Sequence, residues 1–212
     1  SINKQGEGAG EYIEIIDNTY DLKSLSKRPV LLDMIIQTLP ILVKTNLQHS
    51  ISVNMLYKTF LNNEIERQIV DKNRDMLIES SDRFAIMESL SLEIFSIDRQ
   101  EFSSEDIVLT GNKYFQDINK KEIEYFTRDF LNCSFLTRTG DLFKYSHKSI
   151  YEYLVAKSLS IKILNDDIEV FSRKPISSEI LYFIAEEYLN KVSMGKVDLK
   201  KITMPFLNIY AT

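Results

Sequence analysis

Cysteine is almost absent from this 212-residue chain. Cys133 stands alone, so no intramolecular disulfide can form. That usage fits a reducing compartment, and a cytoplasmic location is the expectation. Histidine is nearly as scarce: His49 and His147 lie far apart and, with one cysteine, make no zinc-ligand pattern. Six glycines and four prolines give little turn punctuation, and Gly6, Gly8 and Gly10 use half of the glycines at once. Such a chain favours helices over a many-stranded sandwich. No apolar run is long enough to span a bilayer, and the polar start has no signal-peptide pattern, so no membrane partner is expected. Positive charge is in deficit, with 26 Lys and Arg against 31 Asp and Glu and a net charge of −5. An acidic chain has no global attraction for nucleic acid or an anionic membrane. A phosphate-binding loop is missing as well: the one Gly-Lys pair, Gly195-Lys196, runs into Val197 and lacks the upstream glycine. No paired-carboxylate or nucleophile arrangement takes its place, so this chain alone is not expected to be an enzyme, and no metal site is expected.

What is present suits an ordinary globular protein. The hydrophobic fraction is 44% and the charged fraction 27%, and the length suffices for one large or two small domains. "SINKQGEGAGE" (1–11) reads as a disordered lead-in or linker. "NTYDLKSLSKRPVLLDMIIQTLPILVK" (18–44) reads as two helices. Asp21 caps the first, Pro29 starts the second, and Val30, Leu31, Met34, Ile35, Thr38 and Leu39 share one face. Pro40 is expected to bend or end that run. "SVNMLYKTFLNNEIERQI" (52–69) has a polar start at Ser52 or Asn54, then Leu56, Tyr57, Phe60, Leu61 and Ile65 at helical spacing. A boundary between subdomains follows near 70–80.

The next block has a distinctive order. "SDRFAIMESLSLEIFSI" (81–97) is helical, with Phe84, Met87, Ser91 and Ile94 on one stripe. "SSEDIVLT" (103–110) is a short helix with a Ser cap and acids in its first turn. "INKKEIEYFTRDFLN" (118–132) is a third helix with Ile123, Phe126, Phe130 and Leu131 inward. "SFLTRTGDLFKYS" (134–146) alternates on both sides of Thr139-Gly140, a hairpin signal. Three helices and a hairpin are the order of a winged helix, and a fourth helix over roughly 148–164 closes the block. The tail holds "SSEILYFIAEEYLN" (177–190), capped by Ser177 or Ser178, with Ile180, Phe183, Ile184 and Tyr188 as its stripe. The expected fold is therefore mainly α: a helical bundle plus a winged-helix domain with a small β-hairpin.

His147 stands at the junction of the hairpin and the fourth helix. Ser149-x-x-Glu152 has the letters of a capping box. A helix start there would have unpaired N–H groups and a positive dipole end, which suit a phosphate. The competing reading makes His147 a structural bridge from hairpin to helix, and the helix-start rule alone favours it. Pro29 is by the same logic a start signal. Tyr151 and Tyr153 read as packing residues, Cys133 has no histidine beside it to make a nucleophile, and His49 reads as a loop residue. The third helix region carries Lys113, Lys120, Lys121 and Arg128 against Asp117, Glu122, Glu124 and Asp129. That neutral balance speaks against a DNA-reading helix.

Three segments in order, "YDLKSLSKRPVLLDMI", "LYKTFLNNEIER" and "DFLNCSFLTRTGDLFKYSHKSIYEYLVAKSL", resemble successive signatures of NACHT proteins, members of the STAND class of signalling ATPases. The family pattern at the last is roughly Phe-x-His-x-Ser-Phe-x-Glu-Tyr-x-x-Ala. Tyr145, His147, Ser149, Glu152, Tyr153 and Ala156 keep its spacing, with Tyr145 and Ile150 in place of phenylalanines. The resemblance covers about 18–164. It implies a first helical domain over 12–70, a winged-helix domain over 71–164 and the start of a second helical region over 165–212. It also implies that Pro29 packs near an adenine and that His147 contacts the β-phosphate of ADP in a resting state. The phosphate-binding loop and the acidic magnesium motif of the family are not in this sequence. The expectation is thus a regulatory piece of a longer ATPase. ADP or ATP would be held by the parent and not by this segment alone. The upstream NTPase core would be its partner, with homo-oligomerisation on activation, a sensor or effector domain elsewhere, and a setting in immune or anti-phage defence. A winged-helix nucleic-acid binder and a protein-interaction scaffold without nucleotide control are the alternatives.

Overall fold

A computed structural model of the chain describes residues 29–45, 51–70, 78–114, 120–132, 135–165 and 175–193, with residues 10, 13, 14, 16, 167 and 195 as isolated positions. Among these residues the chain is mostly helical, with seven helices and one small two-stranded antiparallel sheet. It divides into two compact units, Ser1–Glu64 and Ile65–Thr212. The 1–11 lead-in, apart from Gly10, and the Asp21 cap lie outside the described residues.

In the first unit, α1 spans Pro29–Thr45 and α2 spans Val53–Val70, which runs on into the second unit. Leu31, Met34, Ile35, Thr38, Leu39 and Leu42 of α1 are buried, the spacing of one helical face. Thr38 satisfies its hydroxyl on the Met34 carbonyl at 2.7 Å. Pro40 does not end this helix, which continues to Thr45. The proline withholds an N–H from the carbonyl one turn back, at Ile36. Ile36 is 61% exposed, so water can serve that carbonyl while Leu39 and Leu42 hold the stripe inward. Ser52 caps α2, its hydroxyl accepting the Met55 N–H at 3.3 Å. Leu56, Tyr57, Leu61 and Ile65 are fully buried, and Phe60 is half-buried.

The second unit contains α3 (Ser80–Ser96), α4 (Ser104–Gly111), α5 (Lys120–Asn132), β1 (Leu136–Thr139), β2 (Leu142–Tyr145), α6 (Lys148–Leu164) and α7 (Ser178–Ser193). Helix α6 is its centre, with α3 and α7 both packed on it. Five consecutive residues of α6, Glu152 to Ala156, are buried, which a one-faced helix cannot achieve.

The buried stripe of α3 is Arg83, Ile86, Met87, Leu90, Ser91, Ile94 and Phe95. Phe84, expected inward, is only half-buried, and Arg83 takes the inward place. The reason lies far away in sequence: the Arg83 guanidinium donates to the Asp129 and Phe130 carbonyls at 2.9 and 3.1 Å and to the Asp129 carboxylate at 2.8 Å. The same Asp129 oxygen accepts the Ile78 N–H at 3.1 Å. Those two carbonyls belong to the last turn of α5, where no intrahelical donor reaches them.

Ser103 and Asp106 form a reciprocal capping box at α4. Phe126 and Phe130 of α5 are buried and Leu131 is half-buried, while the side chain of Ile123 lies outside the description. The hairpin pairs Thr139 with Leu142, so its two-residue loop is Gly140-Asp141, one residue later than the Thr139-Gly140 expectation. Gly140 has φ +63° and Asp141 does not turn positive, the pattern of a turn with glycine at its first central position. Phe102, between α3 and α4, exchanges two backbone hydrogen bonds with Phe143 of β2 at 3.0 and 2.8 Å, adding a one-residue third strand at that edge. Tyr145 anchors the hairpin to α3: its buried hydroxyl donates to the Met87 carbonyl at 3.0 Å and accepts from Ser91 at 2.7 Å.

Candidate functional site

Strand β2 ends at Tyr145, Ser146 donates its N–H to the Phe135 carbonyl at 2.8 Å, and α6 begins at Lys148. His147 is the residue between, with extended φ −142° and ψ 133°. That is N-cap geometry, and the cap is the imidazole itself. Its Nδ1 accepts the Ser149 N–H at 3.2 Å and sits 2.5 Å from the Ser149 hydroxyl oxygen. The His147 carbonyl accepts from Ile150 at 3.1 Å and Tyr151 at 3.4 Å. The N–H groups of Ser149, Ile150 and Tyr151 are therefore taken by atoms of the chain, and the expected open phosphate-binding helix start is replaced by a start closed from within.

The Ser149-x-x-Glu152 capping box does not form. The extended residue that a cap requires is His147, because β2 feeds the helix directly. This makes Ser149 the second residue of the helix, where it is buried. Glu152 turns elsewhere. It is buried, accepts from Ser177 at 3.2 Å and pairs with the largely exposed Lys148 ammonium at 3.1 Å. Ser177 in turn accepts the Ile180 N–H at 3.3 Å and so caps α7.

A backbone N–H can only donate, so Nδ1 of His147 carries a lone pair, and a neutral ring holds its proton on Nε2. The half-buried imidazole meets both the amide and the hydroxyl of Ser149 through this one nitrogen. Tyr145 and Tyr151 stack near this junction with ring centres 5.8 Å apart. Burial raises the Tyr145 hydroxyl above the usual tyrosine range against the opposing hydrogen bond from Ser91. Burial, with the charges of Asp98 and Glu152, pushes Tyr151 up to about 12. Both stay neutral at ordinary pH; Tyr145 hydrogen-bonds through its hydroxyl and Tyr151 packs against its ring. Tyr153 is fully packed, edge-on to Phe183 at 5.6 Å.

Pro29 is the first residue of α1, as a start signal requires, and its side chain lies outside the description. Pro29 belongs to the first unit and His147 to the second. His49 and Cys133 lie outside the described residues. Among the described residues no group of three or more His, Cys, Asp or Glu is placed to hold a metal ion, and no helix is long and apolar enough to cross a membrane.

Two surface clefts flank the hairpin. A groove of about 850 Å³ runs between α4, α5 and β1, with Val108, Leu109 and Leu131 beside Glu124, Arg128 and Arg138. A second, of about 590 Å³, is lined by Arg99, Phe102, Asp106, Leu142 and Lys144 among others. His147 lines neither, and both mix acidic with basic groups. Sequence reasoning missed Arg83, Asp129 and the Glu152–Ser177 contact. The partners lie 46 and 25 residues apart, and no local pattern marks such pairs. No protein-family model matches the chain, and no curated protein or solved structure matches it significantly.

Proposed function

We propose that this chain is the regulatory helical and winged-helix module of a NACHT-type STAND signalling ATPase, in which His147 reports nucleotide state and restrains oligomerisation. Residues 12–70 act as the first helical domain, 71–164 as the winged helix and 165–212 as the start of a second helical region. The order α3, Phe102 bridge, α4, α5, β1, β2 supports the winged-helix reading. So does a strand order in which β2 lies between the Phe102 bridge and β1.

The observation that carries the functional reading is the division of labour on one imidazole. Nδ1 meets the α6 amide, which orients the ring at the helix start, and an anionic oxygen brought by the ATPase core would meet the other ring nitrogen. The residues therefore fit a phosphate through one side-chain hydrogen bond and not through a nest of backbone amides. The nucleotide would supply the state signal through its number of phosphates, and the missing loop and magnesium ligands would come from the ATPase core. A hydrogen bond to a charged group contributes about 1.5–3 kcal/mol. That is on the order of a 10- to 100-fold bias between resting and active states if made in one of them only. In this reading the module works in the cytoplasm, partners the core and a second copy, and serves defence signalling.

The test uses the full-length protein with its ATPase core. Serine is a good N-cap but cannot reach a phosphate from that position. His147→Ser is therefore expected to keep the fold, lose co-purifying ADP and raise resting oligomerisation by size-exclusion chromatography with light scattering. Unchanged ADP content and an unchanged resting state overturn the reading. Among the described side chains of α5, the exposed face sets Glu124 beside Tyr125 and Arg128, a mixed surface that does not favour the nucleic-acid alternative.

A further inference from the structure

Glu152 presents a question that its own helix does not answer. Its side chain is 5% exposed, and burying a carboxylate is unfavourable unless specific partners compensate. It is not the cap of α6, which His147 provides. Its two partners point in different directions: the Lys148 ammonium lies one turn back on α6, and the Ser177 hydroxyl precedes α7. Ser177 spends its proton on Glu152 and its lone pair on the Ile180 N–H. A hydroxyl that donates to a carboxylate becomes a better acceptor, so the strength of the α7 cap depends on where Glu152 stands.

Farther along, α6 and α7 are held by independent contacts. Tyr153 meets Phe183, the Tyr188 hydroxyl donates to the Ser160 carbonyl at 2.9 Å, and Lys157 pairs with Glu187 at 3.0 Å. These keep the helices together if the first turns loosen. The start of α7 can therefore respond to the start of α6 without disturbing these contacts.

We propose that Glu152 is a positioning residue that couples the His147 turn of α6 to the Ser177 cap of α7. A change at the imidazole loosens the first turn of α6, moves Glu152, and weakens the cap at which the following helical region begins. As a route for nucleotide state this rests on the proposed function. The coupling itself is a property of this chain without nucleotide, so the two fail separately.

Hydrogen exchange by mass spectrometry on the full chain tests it. His147→Ala is expected to speed exchange about fivefold, the scale of one lost N-cap, both at residues 149–151 and at residues 180–182. Residues 184–188 should stay protected. In a Glu152→Leu background the α6 response should persist and the α7 response should vanish, whereas Glu152→Gln, which keeps an acceptor for Ser177, should retain it. Ser177→Ala should likewise abolish the α7 response, and it serves where Glu152→Leu does not fold. An α7 start that ignores His147→Ala overturns the proposal. So does one that still responds when Glu152 or Ser177 has been removed, because the signal would then travel through helix packing.

Discussion

Replacing Arg83 with methionine keeps a long unbranched stem in a fully buried place while removing the guanidinium. Three hydrogen bonds go with it, two to the last-turn carbonyls of α5 and one to Asp129. The Asp129 side chain, 10% exposed, is left charged with the Ile78 N–H still bound. Removing one partner of a buried pair costs about 3–5 kcal/mol, chiefly through the stranded charge. Against a total stability of about 5–15 kcal/mol, Arg83→Met should shift the urea midpoint far below wild type. Adding Asp129→Asn should recover part of the loss, since the stranded charge is gone, but the two carbonyls stay unserved and recovery should be incomplete. Arg83→Lys should fall between, because an ammonium does not span two carbonyls and a carboxylate as the planar fork does. Equilibrium unfolding followed by far-ultraviolet circular dichroism measures these variants, the single Asp129→Asn and wild type. A single-variant cost within about 0.5 kcal/mol of wild type, the range of neutral surface changes, refutes the reasoning. A double variant as unstable as the sum of the singles refutes the pairing.

Two further outcomes follow from neighbouring contacts. Gly111→Ala would ordinarily help a helix by up to about 1 kcal/mol. Here the added methyl would lie 2.5 Å from the buried Phe126 ring, so thermal melting should show a loss of about 1–3 kcal/mol instead. Glu187 is pushed up by burial but more strongly held down by Lys157 and Lys191, and the balance lies below the usual glutamate range. A depressed carboxyl stabilises the fold above its unfolded-state pKa and loses that contribution as pH falls through the folded value. Glu187→Gln should therefore flatten the acid limb of the stability curve below the ordinary glutamate range and leave the neutral slope unchanged. An identical acid limb in the variant counts against the pairing.

What could be read from the letters depended on whether the deciding partner was local. The α1 stripe from Leu31 to Leu39, the Ser103 cap, the extent of α6 and the Ile180–Tyr188 stripe of α7 follow from periodicity and end signals, which act within a turn or two. Arg83 and Phe84 show the limit. Any apolar scale turns Phe84 inward, and the α5 carbonyls, 46 and 47 residues beyond Arg83, reverse the choice. Pro40 shows another, since its effect depended on which side of α1 faced water.

His147 is the instructive case. In the sequence its bridging role and its phosphate role compete, because both were assigned to an open helix start beside an aromatic run. The structure closes that start with the imidazole Nδ1, and in the proposed reading a ligand would meet the other ring nitrogen. In the proposed reading the two roles become compatible on one ring. A histidine held at Nδ1 by a backbone amide cannot present that nitrogen to a phosphate at the same time. Protonating the ring to strengthen an anion contact would cost the cap. Whatever pulls the ring from the Ser149 amide acts where α6 begins.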